Sequence, residues 1–244
     1  MKFTETTTSK KEKWKRLHGG QKLQYIWDYY KFPIVVCFIF LYIIGYNVYG
    51  HLSKKDIILY AALVNVSVDD QNSVQLSDGF LDFIDAGSSQ NAVQLYKGLY
   101  LASDQDDPNH EYTYASRIKI IASIDSEQLD IALMNKEAFD AFSSNGYLCN
   151  LEELLQDLDP GAYKELKPYL VTNTVILTDN SEELPTDETL TYQAVTKEYP
   201  MGLNISQKGL FKQAGFKNDL YLGVIRNAPH ADIAVKYINY LYSD

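Results

Sequence analysis

Cysteine is scarce in this chain of 244 residues: Cys37 and Cys149 are its two. Two thiols exclude a disulfide framework and any Cys-rich zinc module. The four histidines (His18, His51, His110, His230) are scattered, so no His-based metal site is expected. No Gly-x-Ser-x-Gly, His-Glu-x-x-His or Gly-x-x-x-x-Gly-Lys-Ser/Thr string occurs, which removes support for a hydrolase elbow, a zincin or a P-loop. No cofactor, no metal and no enzymatic role are expected. Positive charge is also short, at a net −10, and nucleic-acid binders present clustered Lys and Arg. What is present is 46% apolar content with 20 tyrosines, ample for one packed domain and something extra.

The charge is unevenly spread. Residues 1–31 hold eight Lys/Arg against three acids, +5, so the remaining 14 basic and 29 acidic side chains give −15 for the rest. Between these zones runs Phe32–Gly50, FPIVVCFIFLYIIGYNVYG, without a charge. Nineteen helical residues span about 28 Å, close to the thickness of a hydrocarbon core. Pro33 falls in the first turn, where its missing N–H costs little. Tyr25, Trp27, Tyr29 and Tyr30 precede the run and Tyr46 and Tyr49 end it, like two interfacial aromatic belts. A cleaved signal peptide would have a shorter basic region and a small-residue cleavage site, and a lipoprotein signal would place a cysteine at the end of the run. The expectation is therefore an uncleaved single-pass anchor in a cell membrane: 1–31 a basic cytoplasmic tail, 32–50 a transmembrane helix, 51–244 extracytoplasmic. Gln24–Lys31, QYIWDYYK, resembles the segment leading into the membrane in a group of uncharacterised anchored proteins of Gram-positive bacteria.

Beyond the run, apolar strand patterns alternate with helical stripes. Ile57–Val66 is nearly all apolar, as a strand covered on both faces would be. Leu76, Phe80, Phe83 and Ile84 form a helical stripe ending near Gly87, and Val93–Leu101 reads as a second strand. Ser103–Glu111 is an acidic loop whose Asp104, Asp106, Asp107 and Glu111 lack the spacing of an EF-hand. Tyr114, Ile118 and Ile121 mark a further helix, before a strand over Leu129–Met134. Asn135 caps a helix burying Ala138, Phe139 and Phe142. Asn150 caps another with Leu151, Leu154, Leu155 and Leu158 as its stripe, ended by Pro160-Gly161. Strands follow over Val171–Leu177, Leu190–Thr196, Met201–Ile205 and Leu220–Ile225, and a helix after Pro229 closes the chain. The alternation predicts an α/β fold with a largely parallel sheet.

Leu129–Leu155, LDIALMNKEAFDAFSSNGYLCNLEELL, resembles a strand–helix–turn–helix unit of extracytoplasmic solute-binding proteins. Tyr221–Leu241, YLGVIRNAPHADIAVKYINYL, is similar to the last strand and helix of the same proteins. The resemblance implies a type 2 periplasmic-binding-protein-like domain in a reduced, membrane-anchored form, its smaller lobe roughly 160–205. It carries fold, not function.

In open α/β sheets ligands bind beyond the carboxyl ends of the strands. That rule selects Asn65 and Ser67 after the first strand and Asn135 and Lys136 at the third strand–helix junction as candidate ligand-binding residues. Each is also a natural cap or turn residue. Cys149, alone outside, reads as a small apolar residue, and His110 and His230 as surface histidines. Two functions follow as expectations: a tethered module that binds a small polar solute for a transporter or sensor, or an envelope interaction protein that kept the fold and lost the solute. A deep polar cleft would favour the first; a filled cleft with an exposed apolar patch would favour the second.

Overall fold

The structure, a computed structural model, describes residues 19–52, 55–102, 108–181, 191–206, 211 and 219–243; within the first helix it describes the side chains of 19–20, 27 and 31–46. The chain falls into two compact units, Met1–Lys54 and Lys55–Asp244. The first contains α1 (Gly19–Leu52), one continuous helix of 34 residues with Pro33 inside it. Its apolar side chains from Phe32 to Tyr46 are exposed along most of their length. The span expected at 32–50 runs beyond the last described side chain, Tyr46. Among the described residues, no helix is long and apolar enough to cross a membrane.

The second unit is built on one six-stranded sheet. Its strands are β1 (Asp56–Val64), β2 (Asn91–Leu99), β3 (Ile131–Met134), β4 (Leu170–Asp179), β5 (Ala194–Asn204) and β6 (Tyr221–Val224). They lie in the order β2-β1-β3-β6-β5-β4. Apolar residues alternate between two cores. Ala61, Leu63, Ile131, Leu133, Leu222 and Val224 face one side, and Ala62, Val64, Ala132, Met134 and Tyr221 face the other. A strand with apolar residues in both registers must be covered on both faces. After β1 comes the short α2 (Asp70–Val74), and the first side is covered by α3 (Phe80–Phe83), α6 (Leu151–Leu158), α7 (Pro160–Leu166) and α8 (Ala231–Tyr242). The second is covered by α4 (His110–Asp125) and α5 (Lys136–Ser144).

The fold is thus mixed α/β, but the expectation of a largely parallel sheet fails. β1 pairs in parallel with β2 and β3; β3–β6, β6–β5 and β5–β4 are antiparallel. Parallel partners of β1 need crossovers: α2 and α3 lie between β1 and β2, and α4 carries the chain from β2 past β1 to β3, whereas the successive strands β4 and β5 pair antiparallel. Residues 160–205 hold α7, β4 and β5, and both strands belong to this same sheet. Residues 194–198 of β5 are exposed on both faces, so this end of the β4–β5 ribbon stands clear of the core as an arm.

Local chemistry explains where the elements begin. Asp69, Asn135 and Asn150 accept from the backbone N–H three residues on, capping α2, α5 and α6. Pro160 does not merely end α6: it opens α7, with Asp159 as cap and the proline in the first turn. The expected strands Leu190–Thr196 and Met201–Ile205 are, from 194 on, one strand. Pro200 sits opposite Thr172 at a register shift, a bulge where its missing N–H breaks no ladder. Between α2 and α3 runs a π turn, Gln75–Gly79. The hydroxyls of Tyr237 and Tyr240 donate to the carbonyls of Leu76 (2.9 Å) and Gln75 (2.8 Å), seating α8 on it. A Cβ on Gly79 would meet the Tyr240 hydroxyl at 2.6 Å.

The residues that mark α4 in the sequence form its outward face. Tyr114 is 62% exposed, Ile118 50% and Ile121 37%, and the buried face is Thr113, Ser116, Ile120 and Ile124. The chain after β2 passes close to α4, with the Tyr100 N–H donating to Ser116 Oγ at 3.1 Å. Small side chains permit that approach where Tyr or Ile would not.

Candidate functional site

Three of the four predicted residues come together where β1, β2 and β3 end. Asn65, with φ 57°, is in the left-handed conformation that Asn tolerates best among non-glycine residues. That turn aims its amide at the chain after β2. Oδ1 accepts from the Leu101 N–H at 2.8 Å, and Nδ2 donates to the Leu101 carbonyl at 2.6 Å and to Asn135 Oδ1 at 3.2 Å. Asn135 Oδ1 in turn accepts from the Ala138 N–H at 3.0 Å. Both amide hydrogens of Asn65 are committed to holding the fold. Ser67 is exposed and lines, with Asn65 and Asn135, a cavity of about 430 Å³. Lys136 does not join them: it pairs with Asp140 one turn along α5 and faces a different cleft, beneath the β4–β5 arm.

One side chain of the first cavity escaped sequence reading. Lys97 lines it and donates to Ser73 Oγ at 3.0 Å; within a strand pattern it carried no signal. Tyr100 and Tyr112 form its aromatic rim, stacked with centroids 6.3 Å apart, and the Tyr112 hydroxyl donates to the Gly98 carbonyl. Asp104, Asp106 and Asp107 of the acidic loop lie outside the described residues. Among the described residues, no group of three His, Cys, Asp or Glu is placed to hold a metal ion.

At the other end of β3 sits Asp130, fully buried at 0% exposure. Its Oδ2 accepts from the Tyr60 N–H at 2.7 Å, and its Oδ1 from the His230 N–H at 2.8 Å. The His230 ring nitrogen Nδ1 lies 3.1 Å from Oδ2. Half-buried His230, read from sequence as a surface residue, is therefore tied to a buried carboxyl group at the start of α8. The one available sign was an Asp directly preceding an all-apolar strand. Burial pushes the Cys149 thiol up to about 12, so it stays protonated at neutral pH and is a poor nucleophile.

A second cavity, of about 260 Å³, opens between α4 and α5. Leu101, Ile120 and Phe142 line its apolar part; Arg117, Asn145 and Tyr147 line its polar part. Ile121, of the exposed α4 stripe, also lines this cavity. Desolvation holds the Tyr147 phenol above its usual value, and the Arg117 guanidinium opposes that shift. Among the described residues Arg117 forms no ion pair with an acid. Glu137 also contributes to the lining, and to that of both neighbouring clefts.

Compared with protein-family models, curated proteins and solved structures, the chain matches none.

Proposed function

We propose that this chain is a single-pass membrane protein, N-terminus cytoplasmic, whose residues 55–244 form an extracytoplasmic interaction module on a reduced solute-binding-like fold. The observation that carries the reading is the outward apolar face of α4, where Tyr114, Ile118 and Ile121 are exposed together on one side of the helix. Isolated exposed apolar residues are ordinary; several together on one element mark an interaction surface. The consumption of Asn65 by the fold weighs the same way, since a solute grip needs polar groups with free valences. The solute-binding-like ancestry is supported by the pairing of β3 with β6, which lays the two family-like stretches side by side. The anchor is supported by the charge step across 32–50 and the exposed apolar side chains of α1.

A photo-crosslinking residue at position 118 of the full chain, in intact cells, tests the module. A discrete adduct is expected at 118 and at 121, and none at the polar surface position Ser88. Equal labelling at all three would overturn the reading. Ser88→Cys should react with a membrane-impermeant maleimide from outside, and Ser9→Cys should not.

A second reading has its own support. The cavity lined by Ser67, Lys97, Tyr100 and Tyr112 lies where open α/β sheets bind ligands, and would hold a small polar solute for a transporter or sensor. Thermal unfolding of the full chain against amino acids, sugars, oligopeptides and oxyanions separates the two. A ligand at one hundred times its Kd adds about 2.7 kcal/mol, and a flat panel removes the solute reading for those classes.

A further inference from the structure

We infer that the cavity between α4 and α5 receives the free carboxyl end of a partner polypeptide whose last residue is apolar, with Arg117 taking the carboxylate. This deepens the interaction-module reading and rests on it.

The chemistry divides the cavity into two parts. Arg117, Ile120 and Ile121 share one flank of α4, at i, i+3 and i+4. Facing them are Phe142 of α5 and Asn145 at its C-cap, one of whose amide hydrogens goes to the Ala141 carbonyl at 2.6 Å, with Tyr147 in the turn beyond. The deep part, formed by Leu101, Ile120 and Phe142, is buried and apolar. The outer part offers a guanidinium, an amide and a phenol. A planar guanidinium suits a carboxylate because its paired N–H groups meet both oxygens.

Size and charge narrow the occupant. At about 260 Å³ the space falls below the roughly 300–1,000 Å³ of sites for drug-sized ligands, so it suits one residue rather than a cofactor. Residues 32–244 carry −15, and Arg117 sets an exposed guanidinium at the cavity wall that no described acid pairs, a partner for an anionic group. Capture of a chain terminus is a recurrent recognition mode. Continuity decides between a free acid and a polypeptide: Ile121 lines the cavity and belongs to the exposed stripe with Ile118 and Tyr114. A chain ending in the cavity would cross that stripe and cover it.

The test uses the full chain in detergent micelles and a fluorescein-labelled hexapeptide, Gly-Ser-Gly-Ser-Gly-Leu, as the free acid and as the C-terminal amide, read by fluorescence polarisation. The acid is expected to bind at least tenfold more tightly than the amide. Arg117→Gln should abolish that difference, and Arg117→Lys should keep part of it. Arg117 is exposed, so neither variant should move the thermal midpoint. Ala141→Phe, which fills the cavity, should weaken acid and amide alike, and Glu137→Gln should tighten the acid by removing a like charge. Equal binding of acid and amide, or an acid affinity indifferent to Arg117→Gln, overturns the inference. If N-acetyl-leucine competes as well as the unlabelled hexapeptide acid, the polypeptide assignment falls and the site belongs to a free apolar acid. Failure here is separable from failure of the module reading: adducts at 118 and 121 that persist with Arg117→Gln leave the α4 face standing, whereas their absence in the unmodified chain removes it.

Discussion

The two ends of β3 carry polar knots of opposite character. Where the strand starts, the buried Asp130 carboxyl group gathers the Tyr60 and His230 backbones and the His230 ring. Where it ends, two neutral amides, Asn65 and Asn135, lock the chain after β2 to the start of α5. Both knots hold backbone, and the second also lines a cavity. A polar residue near a strand terminus is therefore weak evidence for ligand binding until its hydrogen-bonding capacity has been counted. Asn65 has donors of the right kind in the right place, and the fold uses them all.

The comparison predicts unequal costs. Asp130→Ala should be the most damaging, because it strips the acceptor from two backbone N–H groups and leaves a void. Hydrogen bonds to a carboxylate contribute about 1.5–3 kcal/mol each, so a loss of roughly 3–5 kcal/mol and a midpoint lowered by roughly 6–20 °C are expected. A change below about 1 kcal/mol in chemical denaturation would show that the knot is ornamental and end the contrast.

At the other end the cost separates into two parts. Asn65→Ala loses the amide bonds and also places Ala at φ 57°, for an expected total of about 2–3 kcal/mol. Asn65→Gly loses the same bonds without the backbone penalty and should be milder by about 1 kcal/mol. Equal destabilisation by Ala and Gly would mean that the left-handed turn carries no strain. Asn135→Ala, which removes an N-cap, should cost about 1 kcal/mol. In the double variant Asn65→Gly with Asn135→Ala, the two losses should fall short of additivity by at least about 0.5 kcal/mol. Full additivity would dissolve the amide pair as a unit.

These differences also explain what could be read in the chain beforehand. β1 and β3 were legible because a strand buried on both faces must be apolar in both registers, as Ala61–Val64 and Ile131–Met134 are. The caps Asn135 and Asn150 were legible because capping is local chemistry, settled within four residues. Long-range partners were not. The Asp130–His230 contact spans a sequence separation of 100, and nothing near either residue announces the other. α4 was legible as a helix from Tyr114, Ile118 and Ile121, but the face it buries was not, because its neighbour, the chain after β2, selects small residues for closeness over large ones for apolarity. The parallel count was overestimated because β4, β5 and β6 read as strands whatever their partner's direction, which only the pairing in the folded sheet decides. The candidate cavity at the strand ends was found by a topological rule, while Arg117, on an exposed helix flank, carried no signal.

The smallest expected effect sharpens the contrast between buried and exposed carboxyl groups. Asp159 caps α7, accepting from the Ala162 N–H at 3.0 Å, and Asn239 Nδ2 of α8 donates to it at 2.9 Å. These bonds hold its carboxyl group below the usual carboxylate range, the Ala162 N–H contributing most. A depressed carboxyl group stabilises the fold above its unfolded value, about 3.9, and loses that contribution as pH falls through the lower folded value. Asp159→Asn keeps an acceptor for Ala162 but does not titrate. The midpoint difference between the unmodified chain and this variant should hold steady from pH 7 to about pH 5, then shrink toward zero in more acid solution. Because the group is largely solvent-screened, the plateau should stay within about 1 kcal/mol, well below the cost of Asp130→Ala. A plateau as large as that of the buried knot would mean that exposure does not set the worth of a carboxyl group here, and a difference that grew on acidification would reverse the sign of the shift itself.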